Sequence, residues 1–422
     1  MRVNVDIHSE SSLVKEAKAL ALKGETSTRI SQPVDREDLK ALVFAGTEIW
    51  LDTGDRNAAG KLWASQITGL TTNNTLANQV VQTGIMDDVI KAASARVKSI
   101  KPNITDEELV IEVGFVVNAK IARNLASAFD AKVSVELHPA VAYDTEATIL
   151  FAERYYEINP ERFFIKVPLT PEGLVGVRAL EKKGIPVNLT LGFSARQNHL
   201  AVRFANPSFV NIFLGRLNQV VKENGLGDGN NVGEKTTLAS QADVWDSKQK
   251  HGTKTKQIAA SLRSGTQVPL LAGVDVQTIP PSAMEEFYNL QLKPSDIKKN
   301  TDAKLEIKVK AGETIQSLGL DLLWEIDDSF YNMTEKLLKE NCDKISGRDL
   351  VCFALENGVD NLFKNYSENE RAKIKAGGKI PKISDWKEKK PALDDLMTIS
   401  ALESFAKDQD ALDTRILKIV KS

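Results

Sequence analysis

From Ile49 onward, short apolar runs alternate with longer stretches in which apolar residues recur at helical spacing. Runs near Ile49–Asp52, Thr68–Thr72, Val133–Leu137 and Phe163–Val167 predict four strands. Runs near Val187–Leu191, Phe209–Leu214, Gln257–Ser261 and Val274–Ile279 predict four more. Intervals of about 12–60 residues leave room for a crossover helix after each strand. Eight strands separated by helical patterns predict an α/β fold, a (β/α)8 TIM barrel rather than an open doubly wound sheet. The barrel is assigned to residues 47–300, behind an N-terminal extension over 1–46. In that extension Ser11 or Ser12 is the expected cap of a helix through Leu13, Ala17, Leu20 and Ala21, with Gly24 as its stop. Residues 301–395 form a mostly helical C-terminal insertion, with capping boxes expected at Ser346…Asp349 and Ser367…Glu370. Residues 396–422 form a last helix packing on the barrel.

Composition narrows the classes of function. A hydrophobic fraction of 42% over 422 residues supports a large core, and a formal net charge of -2 leaves no electrostatic footprint for nucleic acid or an acidic membrane. Two cysteines, Cys342 and Cys352, make no disulfide framework and suit a reducing compartment. No apolar run approaches the ~20 residues of a membrane helix. The start, Met1–Asp6, carries acid early and lacks an apolar signal core. A soluble cytoplasmic protein is expected.

The candidate chemistry begins with Lys166, embedded in the apolar run Phe163-Phe164-Ile165-Lys166-Val167-Pro168. Desolvating an ammonium is costly, and burial favours the free amine, which can attack a carbonyl and form a Schiff base. The alternative is a lysine at a strand end that snorkels to solvent. Asp52, Thr71, Asn73, Glu136, Asn188, Thr190, Arg216 and Arg263 likewise lie inside or just beyond predicted strands, where barrel enzymes carry their chemistry. Thr71, Thr72 and Asn73 are also good N-cap types. Capping does not account for two arginines and an embedded lysine.

The motifs Ile49-Trp50-Leu51-Asp52-Thr53-Gly54-Asp55, Gly69-Leu70-Thr71-Thr72-Asn73, Ser134-Val135-Glu136 and Asp144-Thr145-Glu146-Ala147-Thr148 resemble the first three strand ends of transaldolases. Ile165-Lys166-Val167-Pro168 with Glu172-Gly173, Asn188-Leu189-Thr190-Leu191, Phe213-Leu214-Gly215-Arg216 and Ala260-Ser261-Leu262-Arg263 resemble the next four. Ser404-Phe405-Ala406-Lys407-Asp408-Gln409 is similar to the family's closing helix. The resemblance runs from about residue 47 to 290 and returns near 395.

This resemblance implies transfer of a dihydroxyacetone unit between sugar phosphates in the pentose phosphate pathway. It implies a Schiff base on Lys166, with Glu136 relaying a proton through a water held by Thr190, and Asp52 taking the proton of the C4 hydroxyl. Asn73 and Asn188 are expected to hold hydroxyls of the three-carbon fragment, with Thr71, Asn211 and Phe213 beside them. Arg216, Arg263 and Ser261 are expected to grip the phosphate, a task for which the planar guanidinium fork is suited. No cofactor and no metal are expected, since the imine serves as the electron sink. The expected partners are sugar phosphate substrates and, in a possible homodimer, a second copy.

Asn211 departs from the family's usual serine, and His138 stands where an acid is common, next to Pro139 in an expected structural loop. The rival within the superfamily is a fructose 6-phosphate aldolase, which typically has glutamine for Glu136 and tyrosine for Phe213. A barrel that binds sugar phosphates without turnover is the competitor outside catalysis. Gly225-Leu226-Gly227-Asp228-Gly229 follows a helical stretch, which predicts a flexible loop rather than a phosphate cradle. His8, His138, His199 and His251 share no metal-ligand spacing with the cysteines, and Cys342–Phe353 lacks the alternating oxygens of a calcium loop. Lys373, Lys375, Lys379, Lys382, Lys387, Lys389 and Lys390 make the end of the insertion basic. A solvated face is the default reading of that run; a docking surface or active-site cover is the sharper one.

Overall fold

The computed structural model describes residues 11–24, 29, 33–386, 388–389 and 391–421. The chain start, His8, Lys387 and Lys390 lie outside them. Eight parallel strands close into a barrel in sequence order: β1 Glu48–Asp52, β2 Ile67–Thr71, β3 Lys132–Glu136, β4 Phe163–Pro168, β5 Val187–Thr190, β6 Phe209–Phe213, β7 Lys256–Ala260 and β8 Val276–Ile279. All eight predicted runs are strands, with ends shifted by one or two residues. Leu137, Leu191 and Ser261 fall just past their strands, and β8 begins at Val276 rather than Val274.

The barrel is filled in layers by residues of one parity. Near its amino-terminal end Trp50 stacks on Phe164 at 5.7 Å, and Phe209 meets both rings edge-on at 5.0 and 4.8 Å. This apolar floor requires a glycine opposite Trp50, because a Cβ at Gly69 would lie 2.8 Å from the indole nitrogen. Two positions further along the same strands, the inward residues turn polar. Asp52 follows Trp50, Thr71 follows Gly69, Lys166 follows Phe164, and Asn211 follows Phe209. Strand periodicity therefore places an aromatic base under a polar mouth.

The N-terminal helix forms over Ser11–Leu22 with Leu13, Ala17 and Ala21 buried, and Gly24 has a positive φ of 90°. Ser12 lies within its first turn, so it does not cap the helix as expected. Both capping boxes are present, at Ser346 and Ser367. The insertion is less helical than expected at its start: between Asn300 and Leu320 the chain runs irregularly along the barrel. The Asn300 amide donates to the Ala272 carbonyl, and Gly227 bridges Val309. That bridge fixes the glycine-rich loop, where a Cβ at Gly227 would lie 2.3 Å from the Lys308 carbonyl; the loop is held rather than flexible.

Helices Asp328–Leu337, Gly347–Glu356 and Glu368–Gly377 then travel around the barrel. The first joins helix Ala195–Ala205 through Arg203–Glu335, and Asp343, just before the second, pairs with Arg178 of helix Pro171–Lys182. The third packs on the closing helix Leu393–Lys421. That last helix is docked by a buried fork, in which Arg196 donates to both oxygens of Asp394 at 2.8 Å and Ser194 donates to one of them at 2.7 Å.

Beside this fork Asp395 accepts from the Phe363 amide and the Tyr366 hydroxyl. Burial, then the charge of Asp394, raise the Asp395 carboxyl to about 7. A carboxyl with a raised folded-state pKa binds its proton more tightly folded than unfolded, so its contribution to stability falls as pH rises from about 4 to about 7. Asp395→Asn keeps one acceptor for the Phe363 amide and removes that titration. Urea unfolding at pH 5 and pH 8 is expected to give a smaller loss of stability across that interval for the variant than for the parent. Equal losses would contradict this role for Asp395.

Candidate active site

Parallel register sets the centre of the site. Glu136 of β3 lies beside Lys166 of β4, which lies beside Asn188 of β5; Pro168 is paired with Thr190. Neighbouring positions on adjacent strands of the same parity project into the same interior, so all these groups face one another. Lys166 is 4% exposed, which answers the snorkelling alternative. Its Nζ donates to the Thr72 carbonyl at 3.2 Å and stands 3.7 Å from Glu136 Oε2.

The two carboxyls are tuned in the same direction. Burial raises the Glu136 carboxyl, opposed by the ammonium of Lys166; the Asn74 amide faces it but falls outside hydrogen-bond geometry. Both Glu136 oxygens and the Thr190 hydroxyl are buried without a protein hydrogen-bond partner. Burial also raises the Asp52 carboxyl, opposed by the charge of Lys166 and by a 2.7 Å hydrogen bond from Thr71. Thr71 in turn shares a 2.7 Å hydrogen bond with Thr278 at the end of β8, which holds its hydroxyl in place.

A chain of amides lines the opposite wall. Asn188 donates to the Ser134 hydroxyl at 3.0 Å, and Asn211 donates to Asn188 Oδ1 at 3.1 Å. Asn211 Oδ1 is left buried and without a partner. Asn73 has a structural task as well: its side chain caps helix Asn74–Gln82 by accepting from the Leu76 amide at 2.8 Å.

Arg216, Arg263 and Ser261 come together where β6 and β7 end. A Cβ at Gly215 would lie 2.2 Å from the Ser261 carbonyl and 2.7 Å from Arg263 Cγ, so glycine is what permits this approach. Ser261 has a φ of 65° and Leu191 one of 69°, a left-handed backbone that ordinary residues rarely adopt and that concentrates at functional sites. Arg216 Nη1 and Ser261 Oγ are buried without partners. Burial, then repulsion from Arg263, push the Arg216 guanidinium down to about 10. Arg263 is exposed at the rim. Phe213 packs against Phe193, with Arg216 5.6 Å from its ring centre.

The closing helix supplies a wall that strand-based reasoning did not assign. The ring of Phe405 stands 5.9 Å from Lys166 Nζ and 5.3 Å from the Arg216 guanidinium. Gln409 accepts from Asn74 at 2.8 Å, and Thr75 donates to Asp408. Thr72, which receives the Lys166 hydrogen bond through its carbonyl, was expected only as a cap type. His138 is structural: its Nδ1 accepts from the Ala140 amide at 3.1 Å, and its Nε2 faces Asp413.

Among the described residues, no helix is long and apolar enough to cross a membrane.

Asn211→Ser would remove the bond to Asn188 Oδ1 and leave that oxygen unpaired. A loss of about 1–3 kcal/mol is expected in denaturant unfolding. An unchanged midpoint would mean that the amide chain does not support the wall.

Comparison with known proteins locates this barrel. The family model described as "Transaldolase/Fructose-6-phosphate aldolase" matches residues 49–343. The chain is 30% identical over 285 residues to "Transaldolase" of Alteromonas mediterranea, covering 65% of this chain and 82% of that one. It is 27% identical over 337 residues to "Transaldolase" of Saccharomyces cerevisiae, covering 77% and 96%. "Probable transaldolase" of Dictyostelium discoideum is 28% identical, covering 67% and 88%. With eight parallel strands, an embedded lysine and a family match over most of its length, the chain belongs to the transaldolase/fructose-6-phosphate aldolase family and is a transferase of the transaldolase type.

Proposed function

We propose that the barrel transfers a dihydroxyacetone unit from sedoheptulose 7-phosphate to glyceraldehyde 3-phosphate, giving erythrose 4-phosphate and fructose 6-phosphate, through a Schiff base on Lys166. The observation that carries this reading is the buried Lys166–Glu136 pair at 3.7 Å, with the Glu136 oxygens and the Thr190 hydroxyl lacking protein hydrogen-bond partners. That spacing suits one water held between carboxylate, hydroxyl and the reacting carbon.

Lys166 Nζ attacks the ketose carbonyl to give a carbinolamine. Glu136, with its raised pKa, delivers a proton through the held water to the departing hydroxyl, and water leaves as the imine forms. Asp52 accepts the proton of the C4 hydroxyl as the C3–C4 electron pair moves into the imine, leaving an enamine on Lys166 and freeing the aldose. The acceptor aldehyde is attacked by the enamine, Asp52 returns the proton to the new hydroxyl, and hydrolysis of the imine releases the ketose. Asn188 and Asn211 are suited to bind the hydroxyls of the three-carbon fragment, Asn211 through its unpaired oxygen. Thr71 orients Asp52. Arg216, Arg263 and Ser261 take the phosphate, whose charge answers the unpaired donors there. Phe405 and Phe213 wall off the imine and protect the enamine from stray protonation.

Two features favour transfer over release of free dihydroxyacetone: the carboxylate at Glu136, and the absence of a hydroxyl at Phe213. Coupled assays of sugar-phosphate exchange test the assignments. Asp52→Asn and Glu136→Gln are each expected to lower the rate by roughly 10²–10⁴-fold. Phe213→Tyr is expected to raise cleavage relative to transfer. Near-parental rates in both carboxyl variants would remove their roles, and an unchanged product ratio would remove that of Phe213.

A further inference from the structure

The lysine run at the end of the insertion is not uniform. Lys373 pairs with Asp385, Lys375 with Asp410, and Lys389 with Glu370, so three of its members hold the insertion together or to the closing helix. Lys379 has no ion pair and no hydrogen bond among the described residues.

Its position is fixed from both sides. On one side the Lys375–Asp410 pair, at 2.5 Å, ties helix Glu368–Gly377 to the closing helix, on which Phe405 and Asp408 lie toward the barrel. On the other, Asn224 donates to the Pro381 carbonyl at 3.0 Å and accepts from the Ile383 amide at 2.9 Å. Asn224 ends the helix Leu214–Glu223, and Arg216 sits in that helix's first turn. Residues 378–381 are therefore a short strap between the closing helix and the carboxyl end of the helix whose first turn carries Arg216. Gly378, with a φ of 81°, turns the chain onto it.

Lys379 is exposed on this strap, and Arg216, Arg263 and Asp408 are the charged groups that act on its ammonium. Partial burial and then the two arginines hold it below the ordinary lysine range, while Asp408 opposes them. Asp408 is engaged by the Thr75 hydroxyl. Lys379, Arg216 and Arg263 thus belong to one electrostatic cluster that includes the unpaired Arg216 Nη1, and the carboxyls acting on it are Asp408 on Lys379, Glu136 ahead of Asp408 and Asp52 on Arg216, and Asp52 on Arg263. Such a cluster is completed by an anion carrying more than one negative charge, such as a phosphate monoester near neutral pH.

We infer that Lys379 is a further phosphate-binding residue, supplied to the barrel by the insertion, which closes over the phosphate end of sugar-phosphate substrates. This rests on the sugar-phosphate reading above. It also gives the insertion the task of an active-site cover, carried by one residue of its basic run.

The test is Lys379→Met in the full chain, with Lys379→Arg and Lys382→Met alongside. Inhibition or thermal protection by inorganic phosphate reads anion binding without any turnover. In Lys379→Met the phosphate constant is expected to weaken about 5–20-fold, roughly one lost charge contact at a partly solvated site. KM for glyceraldehyde 3-phosphate is expected to rise in step, and KM for unphosphorylated glyceraldehyde to stay. The effect should fall on KM more than on kcat, Lys379→Arg should restore most of it, and Lys382→Met should match the parent. Parental phosphate binding in Lys379→Met would overturn the inference and leave the transferase reading intact. Equal weakening for phosphorylated and unphosphorylated acceptors would also overturn it, since the residue would then act on closure rather than on charge. Failure of the sugar-phosphate reading itself would appear differently, as a parent protein that binds phosphate but exchanges no sugar phosphates.

Discussion

A lysine and a glutamate removed from water together are the constraint on which the rest of this barrel depends. Alone, either Lys166 or Glu136 would carry a desolvation cost that a strand interior rarely tolerates. Placed on adjacent strands at paired positions, each moderates the other. The 3.7 Å gap keeps them short of a tight ion pair. The strands around them carry small or hydrogen-bonded buried polar residues of the barrel: Thr71, Ser134, Asn188, Thr190 and Asn211. Below lies the aromatic floor of Trp50, Phe164 and Phe209, which gives the polar layer a dry base. Above lies Phe405, carried in by a helix more than two hundred positions later in the chain.

This dependence explains why the closing helix is so firmly fixed. Its start is clamped by the Arg196–Asp394 fork and its middle by Asn74–Gln409, so Phe405 faces Lys166 from a helix held at two points. Residues 301–395 do not form a separate unit on these contacts. They pack in turn on the helices that follow β5 and β4 before reaching the closing helix, and their last segment returns to the helix after β6. The inferred role of Lys379 follows from that route: a chain that circles the barrel brings Lys379 within reach of the charges of Arg216 and Arg263 on its way to the closing helix.

The strands were legible in the sequence because a parallel barrel buries each one as a short apolar run, and a lysine or carboxyl inside such a run stands out against it. Lys166 and Glu136 were singled out this way, and Arg216 by its place just beyond a strand end. The capping boxes of the insertion were legible for a different reason, since Ser346 and Ser367 satisfy helix ends through residues only three positions away. What the sequence left dark is what depends on distant segments. Phe405 is a core-like residue in its own helix, and only packing turns it toward Lys166. Asn73 carries two readings, and the structure gives its oxygen to the cap. Within the lysine run, all members look alike in sequence. Their partners, Asp385, Asp410 and Glu370, distinguish the paired ones from Lys379. The glycine-rich loop looked free because its bridge to Val309 spans some eighty residues.

Borohydride trapping with fructose 6-phosphate, followed by peptide mass spectrometry, tests the central claim most directly. A reduced three-carbon adduct on the peptide carrying Lys166 is the predicted result, since the imine forms on that amine and the C3–C4 bond breaks while it persists. A folded protein that binds the sugar phosphate but yields no adduct, or yields one on another lysine, would contradict the account.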